Sequence, residues 1–246
     1  MTINNSTMHS DLPVHTLITR ENASGGLLLC GINHGYTAKD EELDAAGIDR
    51  LDKYKSFFSD SAVNDYRLRN RLVTWLSLWG LQLRREAATA GPLERSIVQT
   101  NWLQSCSNNV NGIPVRRACI EDSESFLRTC DQLRPSVIVL LSKEMLWALT
   151  SAELRTPVKG ILGCLQEPIS WIDQPVAGAK RFKIGRARFE TTTVLSLPHP
   201  TGSKGLKDDY MAAQGNVKLE VCRWWAEHQH RLSESKAAVT LAVSVE

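Results

Sequence analysis

Residues 27–36 read LLLCGINHGY. An apolar run stops at Gly31, Ile32 follows, and the chain then turns polar at Asn33 and His34 before a second glycine, Gly35. A short apolar run bounded by glycines predicts a buried strand. The same signature recurs further on. SIVQTNWL (96–103) predicts a strand running into an Asn- and Ser-rich loop, and PSVIVLLS (135–142) predicts a fully buried strand. KRFKIGRARFETTTVLSLPHP (180–200) predicts two or three strands, with a turn at Gly185 and a stop at Pro198. Helical periodicity fills the intervals. Leu68, Leu72, Trp75, Leu76 and Trp79 share one face of a helix over 64–83. Further helices are expected over 39–51, 121–133 and 143–154. The last, over 208–232, has Tyr210, Val217, Val221, Trp224 and His228 on one face.

Strands that alternate with helices predict an α/β protein, a three-layer α/β/α sandwich around a central, mostly parallel sheet. The expected domain runs over 25–232, with a polar N-terminal segment at 1–24 and a frayed tail at 233–246. Ligands in such folds sit beyond the carboxyl ends of the strands. Attention therefore falls on Asn33, His34 and Tyr36 after the first strand, Asn101 after another, Ser142 and Lys143 after the third, and His199 after the last.

Bulk composition narrows little. The chain has 246 residues, 42% of them hydrophobic, and a formal net charge of +2, so any nucleic-acid surface must come from local clustering of basic residues. One such cluster is Lys180, Arg181, Lys183, Arg186 and Arg188, and Lys204 and Lys207 lie close to the last motif. The six cysteines are scattered without a C-x-x-C pair, which reads as packing thiols in a reducing compartment and not as a metal site. No leader pattern and no apolar run of about 18 residues is present, so a cytoplasmic protein is expected.

CGINHG (30–35), TNWLQSC (100–106) and LPHPTGSKGL (197–206) occur in that order, with the outer two about 165 residues apart. Together they resemble the motifs of the uracil-DNA glycosylase superfamily. There the first strand ends in glycine, a variable residue, Asp or Asn, and proline. A middle strand ends on a base-reading Asn, and a late loop reads H-P-S-P. The resemblance spans about residues 26–230. It implies a monomeric DNA glycosylase that needs no cofactor or metal and acts on DNA carrying uracil or a related deaminated or mismatched base.

Carried over position by position, Asn33 matches the residue that holds the attacking water. Gly31, Ile32, His34, Gly35 and Tyr36 surround it in the same motif. Asn101 matches the residue that pairs with the uracil edge, and His199 the histidine that bonds the uracil O2. Phe57 or Phe58 is the candidate for the ring that stacks on the base. Pro200, Thr201, Gly202, Ser203, Lys204 and Leu206 match the loop that enters the minor groove, with Leu206 as a wedge. Two positions depart from the pattern. His34 stands where the family keeps proline, and Gly202 stands where H-P-S-P has its second proline.

The chemistry fits these residue types. Breaking the bond from base to sugar puts positive charge on the sugar and negative charge on the leaving base. A neutral histidine can donate one hydrogen bond to that developing oxyanion, worth about 3 kcal/mol when preorganised in a dry site. Asn33 lacks a basic group but can orient a water by its amide. Asn101 offers a donor and an acceptor that complement uracil N3–H and O4, whereas cytosine reverses that pattern. The departures at His34 and Gly202 keep a second reading in play, a protein of the same fold that binds nucleic acid or a modified base without cleaving. A third, an unrelated α/β enzyme or interaction domain, would follow if Asn33, Asn101 and His199 lay far apart.

Overall fold

The computed structural model describes residues 12–35, 56–63, 65–104, 106–107 and 114–243, together with Glu42, Ala45 and Ala46. Tyr36 and most of the helix expected over 39–51 lie outside these residues. Along the chain, β1 (Leu27–Gly31) and the two-residue β2 (His34–Gly35) are followed by α1 (Arg67–Leu78), α2 (Pro92–Arg95), β3 (Ile97–Asn101) and β4 (Cys106–Ser107). Next come α3 (Val115–Glu121), α4 (Glu124–Leu133), β5 (Val137–Leu140), α5 (Lys143–Leu149) and α6 (Arg155–Leu162). The chain continues through β6 (Ser170–Trp171), β7 (Gly185–Arg188), β8 (Thr193–Ser196), α7 (Asp208–Ala212) and α8 (Gly215–Val243).

The main sheet has six strands in the order β3-β1-β5-β8-β7-β6. Its β3-β1, β1-β5 and β5-β8 ladders are parallel, while β8-β7 and β7-β6 are antiparallel. The sheet is therefore mixed, which corrects the expectation of a mostly parallel one. The reason is connection length. Only residues 189–192 join β7 to β8, a hairpin-sized link, and a parallel return needs a crossover of a dozen or more residues.

Both faces of the sheet are covered. All five residues of β1 are buried. Leu28 and Cys30 pack with Phe126, Leu133, Met145 and Leu149 from α4 and α5. Leu27 and Leu29 pack on the other side with Trp75 and Leu76 of α1 and with Val217 and Val221 of α8. The split follows from the two-residue period of a strand, and it makes the α/β/α layering. Cys30, Cys119 and Cys130 are buried, and burial pushes all three thiols up, Cys119 to about 12.

The helix foreseen over 208–232 is broken near Ala213 and Gln214, and its second part continues to Val243. The described residues of the N-terminal segment, from Leu12 on, pack against the sheet. Val14 bridges antiparallel to Thr100, and the His15 N–H donates to the Gln99 carbonyl at 2.8 Å. Thr100 Oγ1 donates to the Pro13 carbonyl at 2.7 Å. Unpaired groups on an edge strand attract such a cover, and here the cover comes from the chain's own first residues.

Candidate functional site

The parallel ladders bring three of the expected residues to one end of the sheet. Gly31 lies opposite Asn101 in the β1-β3 register, Cys30 opposite Leu140, and Leu140 opposite Ser196. The pairing runs past the strands proper. The Trp102 and Leu103 N–H groups donate to the Gly31 and Ile32 carbonyls at 2.9 and 2.8 Å, and the Leu197 N–H donates to Leu140 at 2.8 Å. Asn33, Asn101 and His199 thus all leave the sheet at its carboxyl end. With strands about 4.8 Å apart, β1 and β8 are about 10 Å apart across that end, and β3 and β8 about 14 Å.

Asn101 is the best-defined member. It ends β3, is 8% exposed, and has Trp102 behind it as an anchor. The Trp102 indole stacks on Phe126 at 3.9 Å and donates to the Cys119 carbonyl at 2.8 Å. The Asn101 amide nitrogen lies 3.3 Å from His15 Nε2. Its oxygen lies over Gly31, only 2.3 Å from where a Cβ on that residue would be. Gly31 is thus glycine because the carboxamide of Asn101 occupies the side-chain space.

Asn33 follows the buried Ile32 and is itself half-buried. The chain pairs again just beyond it, His34 with Cys106 and Gly35 with Ser107, in the short parallel ladder of β2 and β4. Asn33 is therefore held between two pairings with one neighbouring segment.

His199 sits half-buried at the start of a tight loop. Its Nδ1 accepts from the Gly202 N–H at 2.9 Å and from the Thr201 N–H at 3.3 Å, and Thr201 Oγ1 is also 3.3 Å away. Two backbone donors on Nδ1 leave the ring proton on Nε2, the nitrogen turned away from the loop. Burial lowers the pKa of the ring from its ordinary value of 6.5, so the imidazole is neutral at pH 7. The departure at Gly202 now has a local reason. Proline there would have no N–H to give, and a Cβ at that position would lie 3.1 Å from Nδ1.

Arg71 of α1 fixes the loop from beneath. It donates to the carbonyls of Pro200 and, at 2.9 Å, Leu206, and it pairs with Asp208 at 2.9 Å. Asp208 also accepts from the Trp75 indole at 2.7 Å. The tip is open to solvent, with Thr201, Gly202 and Lys204 exposed and Ser203 half-buried. Leu206 is the exception. It is 7% exposed and packs in the core cluster of Trp75 and Trp79, so it is a foot of the loop and not a projecting wedge.

The expected stacking ring is not where the resemblance would put it. Phe58 is fully buried in the core. Phe57 is half-buried beside Arg95, which precedes β3, and so lies toward the amino end of the sheet. Among the described residues, Tyr66 is an exposed aromatic on the side of Asn101, 61% exposed, which sequence reasoning did not single out. Its ring and that of Phe58 lie 5.3 and 5.5 Å from the Arg69 guanidinium. Arg69 donates to Gln99 Oε1 at 2.7 Å, two residues before Asn101 on the same strand face. Burial lowers the Arg69 pKa to about 10.

Three of the five residues of the basic stretch are already paired, while Lys180 and Lys183 stay exposed. Arg181 pairs with Asp173. Arg186 and Arg188 donate to the same Glu220 oxygen at 2.9 and 2.6 Å, and both also face Glu167. Burial alone would raise the Glu220 carboxyl, but bonds from Arg188 and Arg186 outweigh it and hold the group below its ordinary value. These arginines tie α8 to the sheet and are not a free phosphate-binding face. Glu220→Ala should lower stability by about 2 kcal/mol, below the figure for a fully buried pair because its partners are partly exposed. The midpoint of urea unfolding measures this, and an unchanged midpoint would refute it. A cavity of about 440 Å³ beside this network, lined by Ser136, Thr193, Glu220 and Trp224, opens at the opposite end of the sheet from His199.

No protein-family model matches the sequence, and no curated protein matches it either. Among the described residues, no helix is long and apolar enough to cross a membrane.

Proposed function

We propose that this protein is a DNA glycosylase that hydrolyses the bond between deoxyribose and uracil, or a related deaminated or mismatched base, and leaves an abasic site. The observation that carries the reading is His199. A neutral imidazole fixed by two backbone donors on one nitrogen, with its proton on the other, stands at the strand end where a leaving base would need a donor. Asn101 offers the base an acceptor above Gly31 and a remaining amide proton. Asn33, at the end of the adjacent strand, orients the water that attacks the sugar.

Each step uses one group. Base departure builds negative charge on the base's carbonyl oxygen O2, and the His199 Nε2–H donates to it. Asn33 accepts a hydrogen bond from water and aims it at the electron-poor sugar carbon, where positioning outweighs basicity. Uracil enters only if extruded from a duplex or presented in a single strand. With Leu206 buried, the loop lacks the large apolar wedge that would hold a duplex open, which favours single-stranded substrate.

The test is base release from oligonucleotides carrying uracil, hypoxanthine, xanthine or mismatched thymine, in single and double strands, followed by alkaline cleavage of the abasic site. Release of uracil, fastest from the single strand, is expected. Failure on every substrate refutes the enzyme reading. Tight, salt-dependent binding to uracil or abasic DNA without release assigns the chain to the non-cleaving alternative.

The pH dependence has a definite sign. The folded-state pKa of His199 is depressed, so the neutral donor persists below the ordinary 6.5 and is lost only as pH falls through the lowered value. The acid limb of the single-turnover rate is expected below pH 6.5. A limb centred above 6.5 would contradict it.

A further inference from the structure

We propose that His15 is a positioning residue that fixes the orientation of the Asn101 carboxamide, and with it the preference for a base edge carrying an N3–H; this rests on the reading of Asn101 as the base-recognising residue. His15 comes from the polar N-terminal segment, and no sequence motif links it to the site. Its backbone is held against β3 by the bond to Gln99, and its neighbours Val14 and Thr16 are fixed there too. Thr16 Oγ1 accepts from the Gln99 N–H at 3.1 Å.

With the Asn101 amide placed as it is, the contact has one workable proton assignment. The Asn101 amide nitrogen, 3.3 Å from His15 Nε2, has protons to give and no lone pair to offer. The ring nitrogen must accept, so the His15 imidazole in this contact is neutral with its proton on Nδ1. The amide oxygen is thereby turned to the other side, over Gly31, where no side chain competes for the space. One amide proton bonds His15, and the second remains for the base beside the oxygen.

Turning the carboxamide over would set its oxygen against Nε2, and the bond could re-form only if the ring moved its proton from Nδ1 to Nε2. With the proton on Nδ1, two acceptors would face each other and a partly buried bond would be lost. While that tautomer holds, the acceptor of Asn101 stays on the β1 side. Uracil meets it with N3–H, whereas cytosine presents a bare N3 and needs the reversed amide, which the Nδ1–H tautomer of His15 opposes. Selectivity at the last residue of β3 is set by a side chain that need not touch the base.

Two substitutions separate this role from simple packing. His15→Glu supplies only an acceptor and keeps the amide as it is. His15→Lys supplies only donors and favours the reversed amide. Their charges act the other way on DNA, since lysine strengthens binding to phosphates and glutamate weakens it. The uracil-to-cytosine preference in one oligonucleotide sequence cancels that effect. The preference should stay within about threefold of wild type in H15E and fall about tenfold or more in H15K. Equal preferences in the two variants would overturn the proposal.

A second readout needs no catalysis. In the full chain without DNA, nitrogen NMR of the His15 ring should show Nδ1 protonated and Nε2 accepting, and Asn101→Ala should shift Nε2. A ring protonated at Nε2 would overturn the assignment. If the ring is bonded as expected yet no base is released, the glycosylase reading has failed and this one has not. The preference is then measured as the affinity of the same variants for uracil- and cytosine-bearing oligonucleotides, with the same two outcomes.

Discussion

His199→Ala is expected to slow single-turnover base release by about 10²–10³-fold, the cost of removing one preorganised donor to a developing oxyanion. Substrate affinity should change far less, because the bond strengthens as charge moves onto the base and contributes little before that. The fold should survive. The histidine is half-buried at the base of a loop, and the loop's main attachments run through Arg71 to the Pro200 and Leu206 carbonyls, which the substitution leaves in place. An unchanged circular dichroism spectrum with a rate within threefold of wild type would remove His199 from the chemistry.

Gly31→Ala should be nearly as damaging for a different reason. The added Cβ would sit 2.3 Å from the Asn101 oxygen, a distance no pair of non-bonded atoms tolerates. The side chain of Asn101 is the softer partner and must swing away. The stability cost is then that of an overpacked site, about 1–3 kcal/mol. The recognition cost is larger. With its oxygen displaced from above β1, Asn101 leaves the N3–H of the base without an acceptor, and kcat/KM for uracil should fall about 10²-fold or more. Urea unfolding and oligonucleotide kinetics on the same preparation separate the two effects. Wild-type kinetics in this variant would show that Asn101 does not read the base from where it stands.

Much of this geometry was legible in the sequence, but unevenly. The runs LLLCG and VIVL declared buried strands by composition alone, and both are central in the sheet. The rule that ligands sit beyond parallel strand ends then located Asn33, Asn101 and His199 at one end. The direction of β7 was harder to read, because it depends on the length of the link to β8 and not on which residues the strands contain. Exposure was harder still. Leu206 looked like a surface tool by its place in a motif and Phe58 was one of two candidates for a stacking ring, yet both are apolar side chains with a core to enter, and burial won. Arg186 and Arg188 look like part of a phosphate-binding face until their acids, Glu220 and Glu167, are brought in by the fold. His15 carried no signal at all. A lone histidine in a polar leader gains meaning only when the edge of β3 recruits it.

That recruitment of acids by arginines has a consequence for how the protein meets its substrate. A cation already matched to a carboxylate displaces few of the counterions condensed along DNA. At the carboxyl end of the sheet, Lys180, Lys183, Lys204 and Lys207 remain exposed. Four phosphate contacts on a single strand correspond to a slope of about −3 in the logarithm of affinity against the logarithm of salt. On the proposed reading, association would gain only modestly from long-range attraction. The dwell time on a strand would then depend more on whether a base fits between Asn101 and His199 than on the charge of the strand that carries it.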